Sequence, residues 1–332
     1  MSDSPAPGTS PVGAPPVRVT RTDVLLLVAL GVLWGSAYVA IRQGIVAGAS
    51  PFLFAAVRYG LVAVLFALIA SVRREPLPER RAALLSAAVG GTLIIGVYGA
   101  LLYWGEQFTS GGYASALSGT APLLTVVFAT ALLPSERLRP AALVGIVVGF
   151  LGVVTLVLPT LLGGLGSDWR GPLAVTGAFV VFPLGSVLLR RWGHGGEGTW
   201  QLSLQFAVGA TVLALAVGVV PGPEELPFTF TVWVSLLALV VFASLCGYFV
   251  YFRLHHRIGP GRANLVAYLI PLVGIGIGSG FFGEPITVWE IGGFLLVATG
   301  LSLVFFSTNR APSAAPGRPP IRAEEPTSGG RP

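Results

Sequence analysis

The sequence predicts an all-α integral membrane protein whose ten transmembrane helices form two inverted five-helix repeats. Three observations carry this reading. Of 332 residues, 54% are hydrophobic and only 10% charged, against roughly 25% charged residues in soluble domains. Ten apolar segments alternate with short polar loops. The two halves of the chain also match each other at a constant offset.

The apolar segments lie at about 24–41, 52–72, 82–104, 113–133, 141–162, 172–190, 200–220, 230–252, 262–282 and 287–306. Each approaches the roughly 20 residues that a helix needs to cross a bilayer. Residues 1–22 and 309–332 are rich in Pro, Ala, Ser and Gly and lack the apolar content to build a core, so they read as disordered cytoplasmic tails. The first apolar segment has the look of a signal peptide. A polar stretch precedes it, however, and Tyr38 spoils the small-residue cleavage site ending at Ala40, so it is kept as a span.

Arginine placement tests the count, because cytoplasmic loops are enriched in basic residues. All twenty basic residues are arginines. With the N-terminus inside, Arg42 and Arg170 fall on the outer side, Arg58 falls within the second span, and every other arginine from Arg18 to Arg331 falls inside. Adding or removing a span would scramble this alternation. The expected location is the cell (inner) membrane, multi-pass, with both termini cytoplasmic.

Several function classes drop out. Without lysine there is neither a GxxxxGK[ST] phosphate loop nor a Schiff-base lysine. One cysteine, Cys246, supports no internal disulfide or Cys-rich metal site. His194, His255 and His256 fall in inner loops without an HExxH pattern, so no metal, no cofactor and no enzymatic activity are expected. The arginines are scattered rather than gathered on one surface, which argues against nucleic acid as a partner. The expected partners are the lipid bilayer and a small-molecule substrate. Glycine spacings at Gly145 and Gly149, and at Gly274 to Gly280, suit close helix packing within the chain or in a homodimer.

The internal repeat runs at an offset of 148 residues, pairing Arg42 with Arg190, Gly99 with Gly247, Tyr103 with Tyr251, Glu136 with Glu284, Gly145 with Gly293 and Gly152 with Gly300. Pro122 meets Pro271 one residue further on. The first repeat spans residues 23–163 and the second 164–308. Five spans per repeat is an odd number, so the second repeat enters the membrane upside down. Inverted repeats recur in secondary transporters, with a substrate site near the midplane between the halves.

Leu33-Trp34-Gly35-Ser36, then Pro51 and Arg58, then Phe108 to Ala116 leading to Pro122 and Ser135-Glu136-Arg137-Leu138, resemble the EamA-type proteins of the drug/metabolite transporter superfamily. The second half repeats the pattern with Ala263, Pro271, Gly283-Glu284 and the Gly293 to Gly300 spacing. Ser135 stands where the family usually has Gly. The resemblance covers roughly residues 24–306 and implies a ten-helix transporter of small metabolites.

Candidate functional residues follow from chemistry at depth. Pro122 and Pro271 sit near the middle of their spans, where a missing N–H kinks the helix and frees carbonyls. Ser115, Ser118, Asn264 and Tyr268 lie just before them; a serine also satisfies its own helix in many proteins. Trp34, Tyr98 and Tyr248 are deep enough that their polar atoms need a partner or a wet cavity, whereas Trp104 suits the interface. Arg58, roughly 10 Å inside its span at 1.5 Å per residue, is a costly charge that either meets a substrate carboxylate, snorkels outward or pairs with Glu106. Glu136 and Glu284 start helices after the kinked spans and read as gating or turn residues. The expected function is a secondary transporter, an exporter of amino acids or related zwitterions working by alternating access. The alternatives are a broad drug exporter and a non-transporting scaffold or receptor subunit.

Overall fold

The computed structural model describes residues 20–133, 140–162, 168–192, 198–219, 225–258, 263 and 265–308. Residues 1–19 and 309–332 of the expected tails, Glu136 and Asn264 therefore lie outside the described residues, and residues 20–22, expected in the first tail, form the start of the first helix instead. Among those described, the architecture is helical with no strand. Seven helical stretches are long and apolar enough to cross a membrane, and three shorter apolar helices accompany them: Leu143–Leu156, Val266–Phe282 and Val288–Val304.

α1 (Arg21–Val46) starts earlier than its apolar run because Thr20 caps it. The Thr20 hydroxyl accepts from Asp23 N at 3.3 Å while the Asp23 carboxylate accepts from Thr20 N at 2.9 Å. Reciprocal capping of this kind satisfies donors that a helix start otherwise leaves orphaned. α2 (Pro51–Val72) begins on a proline, whose missing N–H costs nothing in the first turn. α3 (Arg80–Ser86) continues through wide i→i+5 turns over Ala87–Val97 into α4 (Tyr98–Gly105). The second half repeats this construction: α10 (Phe230–Leu237), wide turns over Ala238–Cys246, then α11 (Gly247–Ile258).

The span after α4 is broken in two. α5 (Gly111–Ser118) ends in tight turns in which Gly119 N bonds Ala116 O and Thr120 N bonds Leu117 O, and α6 (Ala121–Leu132) restarts with Pro122 in its first turn. Its counterpart α12 (Val266–Phe282) carries Pro271 inside one continuous helix. The remaining helices are α7 (Pro140–Leu162), α8 (Arg170–Trp192), α9 (Thr199–Val219) and α13 (Val288–Thr308).

Packing pairs helices across the two halves. α2 lies on α9, α7 on α13 and α5 on α12. α1 packs against α10, α11 and α12, and its counterpart α8 packs against α4, α5 and α6. Leu30, Phe54, Tyr103, Phe206, Leu213 and Leu239 are enclosed at the centre. Leu61, Val64, Leu68, Phe150 and Leu215 stay exposed on the outside of the bundle. An apolar outer wall of this sort belongs in lipid rather than water.

The α7–α13 contact is made by glycines in a crossed pattern. A Cβ on Gly145 would lie 2.6 Å from Gly300 O, and one on Gly152 would lie 2.7 Å from Gly293 O. The two helices run antiparallel with their backbones touching, a packing that small residues permit. Gly149 is likewise filled from within the chain, by Leu123. Gly276 and Gly280 face open space.

Candidate functional site

Arg58 lies buried near the middle of the bundle, on α2. It donates from Nη1 to the Tyr103 hydroxyl at 2.8 Å and from Nη2 to Ser244 Oγ at 3.3 Å. Its guanidinium carbon sits 5.0 Å from the centre of the Tyr59 ring, a cation–π distance. The third nitrogen, Nε, has no hydrogen-bond partner. Of the three fates open to Arg58 in the sequence, the fold turns it neither outward nor onto Glu106. It is held by two hydroxyls and a ring, with its Nε–H unpartnered.

Around it stands a set of rings. Trp34 donates its Nε1 to Ala243 O at 3.1 Å, a carbonyl within the widened turns of the second half. A widened turn often marks a functional position in a helix. Gly247 leaves the space for that indole, because a Cβ there would fall 2.5 Å from Trp34 Nε1. The Trp34 ring lies 6.0 Å from Tyr248 and 5.3 Å from Tyr251, and Tyr248 also meets Phe66 and Phe206 edge-on. On the other side, the Tyr98 and Tyr38 hydroxyls are 3.5 Å apart, and Tyr98 contacts Phe179 and Phe182. Trp34, Tyr98 and Tyr248 keep partly accessible surface although rings from other helices flank them.

The proline-bearing spans are drier. Ser115 Oγ donates to Gly112 O at 2.7 Å and Ser118 Oγ to Ser115 O at 2.6 Å, so both hydroxyls satisfy their own helix. Ser115 also packs against Gly274 of α12. Tyr268 pairs with Ser302, their oxygens 3.3 Å apart, which ties α12 to α13. The structure thus gathers Trp34, Arg58, Tyr98 and Tyr248 around the centre, and sets Ser115, Ser118 and Tyr268 into helix contacts. Tyr59 and Ser244 complete the setting of Arg58 and had no signal of their own in the sequence.

One end of the bundle is laced by polar contacts. Glu284 follows Gly283, whose left-handed φ of 66° turns the chain out of α12. The Glu284 carboxylate then accepts from Gly111 N at 3.2 Å and Gly112 N at 2.9 Å, at the start of α5. An acid on the positive end of a helix is the favoured arrangement. Arg42 donates to the carbonyls of Glu106 and Gln107, and Arg170 lies over the Phe108 ring at 5.0 Å. At the opposite end, Arg257 Nε holds the buried Asp23 at 2.7 Å, and the Glu75 carboxylate accepts from Thr199 N and Oγ1. Among the described residues no cluster of three His, Cys, Asp or Glu side chains has metal-binding proximity.

A bundle of apolar helices around a polar, aromatic-lined centre describes a membrane transporter, and the comparisons give the family. The profile of the EamA-like transporter family matches twice, over residues 21–158 and 169–306, and the chain belongs to that family. It is 29% identical over 306 residues to the uncharacterized transporter YvbV of Bacillus subtilis (strain 168), covering 90% of this chain and 96% of that one. It is 27% identical over 271 residues to the uncharacterized inner membrane transporter YedA of Escherichia coli (strain K12), covering 80% and 84%. A solved crystal structure superposes with a TM-score of 0.58 over 87% of this chain and 98% of its own, at 19% identity, a likeness of fold.

Proposed function

We propose that the protein is a ten-span secondary transporter that exports small zwitterionic metabolites such as amino acids, by alternating access between two inverted repeats. The observation that carries the substrate class is Arg58. It is a buried cation whose Nε is unpartnered, set beside half-buried Trp34, Tyr98 and Tyr248. A guanidinium with a donor to spare suits a carboxylate, which accepts charge-assisted bonds. The rings suit an apolar side chain.

The crossed glycine contacts support the inversion. The sequence offset equates Gly145 with Gly293 and Gly152 with Gly300, whereas the touching pairs are Gly145–Gly300 and Gly152–Gly293. A two-fold axis perpendicular to both helices exchanges these contacts with each other. An axis along the helices would have made the pair parallel. Two nearly equivalent packings of one structure are what alternating access requires. With the arginine-rich loops inside, both termini are cytoplasmic and the Arg42–Glu284 end faces outward.

Counterflow in proteoliposomes loaded with a panel of radiolabelled amino acids tests the reading. Exchange of at least one zwitterion that is lost in Arg58→Ala supports it, and no exchange across the panel removes the substrate class. The ring cluster around Trp34 favours a second reading, export of lipophilic cations, because aromatic faces attract cations. A resistance profile lost in Trp34→Ala but kept in Arg58→Ala would select that reading.

A further inference from the structure

Glu106 follows directly on the Ala83–Gly105 span, between α4 and α5. Its side chain is fully enclosed, 0% exposed, and neither carboxylate oxygen has a hydrogen-bond partner. The charged side chains nearest to it direct their hydrogen bonds to other atoms. Arg42 spends its Nη1 on the backbone carbonyls of Glu106 and Gln107, not on the carboxylate. Arg58 is held by Tyr103 and Ser244, and Glu284 sits on Gly111 and Gly112. Arg170 pairs with Asp168 at 3.0 Å.

An ionised carboxylate sealed from water without a donor is expensive, and such a group takes up a proton instead. Burial pushes the Glu106 carboxyl well above the usual carboxylate range; Arg42 and Arg58 oppose the shift and the charge of Glu284 adds to it. The titratable groups facing it are Arg42 and Tyr38 from α1, Arg58 and Tyr59 from α2, Tyr103 from its own helix, and Glu284. A side chain with no accessible surface has no room for a substrate or a hydrated ion. A proton needs none.

We propose that Glu106 is a proton-binding site that ties closure of the Arg42–Glu284 end to uptake of one proton from that side, so that the pH on that side governs how readily the end opens. This rests on alternating access as proposed above. When that end opens, Arg42 leaves the Glu106 and Gln107 carbonyls and water enters. The carboxyl O–H bond then breaks, its proton passes to water on that side, and the carboxylate is stabilised by hydration and by the released Arg42. Closing reverses the step, because the sealed site accepts only the neutral acid. Between the open-state and closed-state pKa values, the ratio of closed to open protein falls up to tenfold for each unit rise in pH.

Two measurements test this in the full chain in lipid nanodiscs, with Cys246→Ser as background. The first is the infrared C=O stretch of a protonated carboxyl at neutral pH. The wild type is expected to show a band that shifts on carboxyl isotope labelling and vanishes in Glu106→Gln; the absence of any such band in the wild type overturns the proposal without relying on a variant. The second is the spin-label distance between Thr109→Cys and Ile286→Cys across the Glu284 contact. It is expected to lengthen as pH rises and to stay short at every pH in Glu106→Gln. A distance that never moves, or that moves equally in Glu106→Gln, overturns the coupling, whereas the counterflow assay judges transport independently.

Discussion

Gly145 and Gly300 touch backbone to backbone, although the sequence repeat equates neither with the other. The contact brings the backbones of α7 and α13 together, and any Cβ at either position meets main chain that has no rotamer in which to escape. Gly300→Leu is therefore expected to lower stability by about 1–3 kcal/mol, the usual cost of overpacking. Gly276→Ala, where a Cβ meets nothing within 4 Å, is expected to leave the melting temperature unchanged or slightly raised. Thermal unfolding of the two variants in one detergent, followed by intrinsic fluorescence, checks the pair.

Tyr103→Phe removes the 2.8 Å acceptor of a buried guanidinium while keeping the ring. Leaving a buried charged donor unsatisfied costs about 1–3 kcal/mol or more. The expected result is a lower melting temperature and a changed half-saturation in counterflow, with Tyr251→Phe, its repeat mate, having less effect on both. Equal melting temperatures for Tyr103→Phe and the wild type would mean that the hydroxyl is not needed by Arg58.

Glu284 joins the turn after α12 to the first N–H groups of α5. Glu284→Gln loses the charge and one of the two acceptors, and bonds to a charged group are worth about 1.5–3 kcal/mol. Maleimide labelling of Thr109→Cys in membranes is expected to quicken severalfold in this variant. An unchanged labelling rate would show that Glu284 does not hold this end together.

The pH dependence of stability has a definite sign. Burial raises the Glu106 carboxyl well above its unfolded value of about 4.3. The folded chain then binds more protons than the unfolded one between the two values, and stability falls as pH rises through that window. Melting temperature measured from acid to neutral pH is expected to decline in the wild type. Glu106→Gln is expected to flatten this decline, and a slope identical to wild type would sink the assignment.

The architecture was legible to the extent that hydropathy dictates it. Helices formed where the apolar segments lay, and several run on past them over arginines such as Arg42, Arg191 and Arg257. The wide turns over Ala87–Val97 and Ala238–Cys246 were not visible, because an extra residue per turn leaves composition untouched. Pro122 was readable as a disruption but not its form: the helix stops at Ser118 and restarts at Ala121, whereas Pro271 is absorbed within α12. The centre was harder still. Arg58 announced itself as a charge at depth, yet its partners lie 45 and 186 residues away in the chain. Glu106 was visible only as a possible mate for Arg58. Its isolation is a three-dimensional fact, set by where Arg42 and Glu284 direct their bonds.

The widened turns bear on how the rings are aimed. An i→i+5 turn holds one residue more than an ordinary turn of similar rise. Rewinding Ala238–Cys246 to regular turns with every residue kept would add about 100° for each surplus residue and rotate everything beyond it. Tyr248 would swing off Trp34 and Phe206, and Trp34 would lose the carbonyl it binds. The bearing of these aromatics is thus stored in the local winding of the backbone, which a change of pitch alone can undo without altering any side chain that faces the centre.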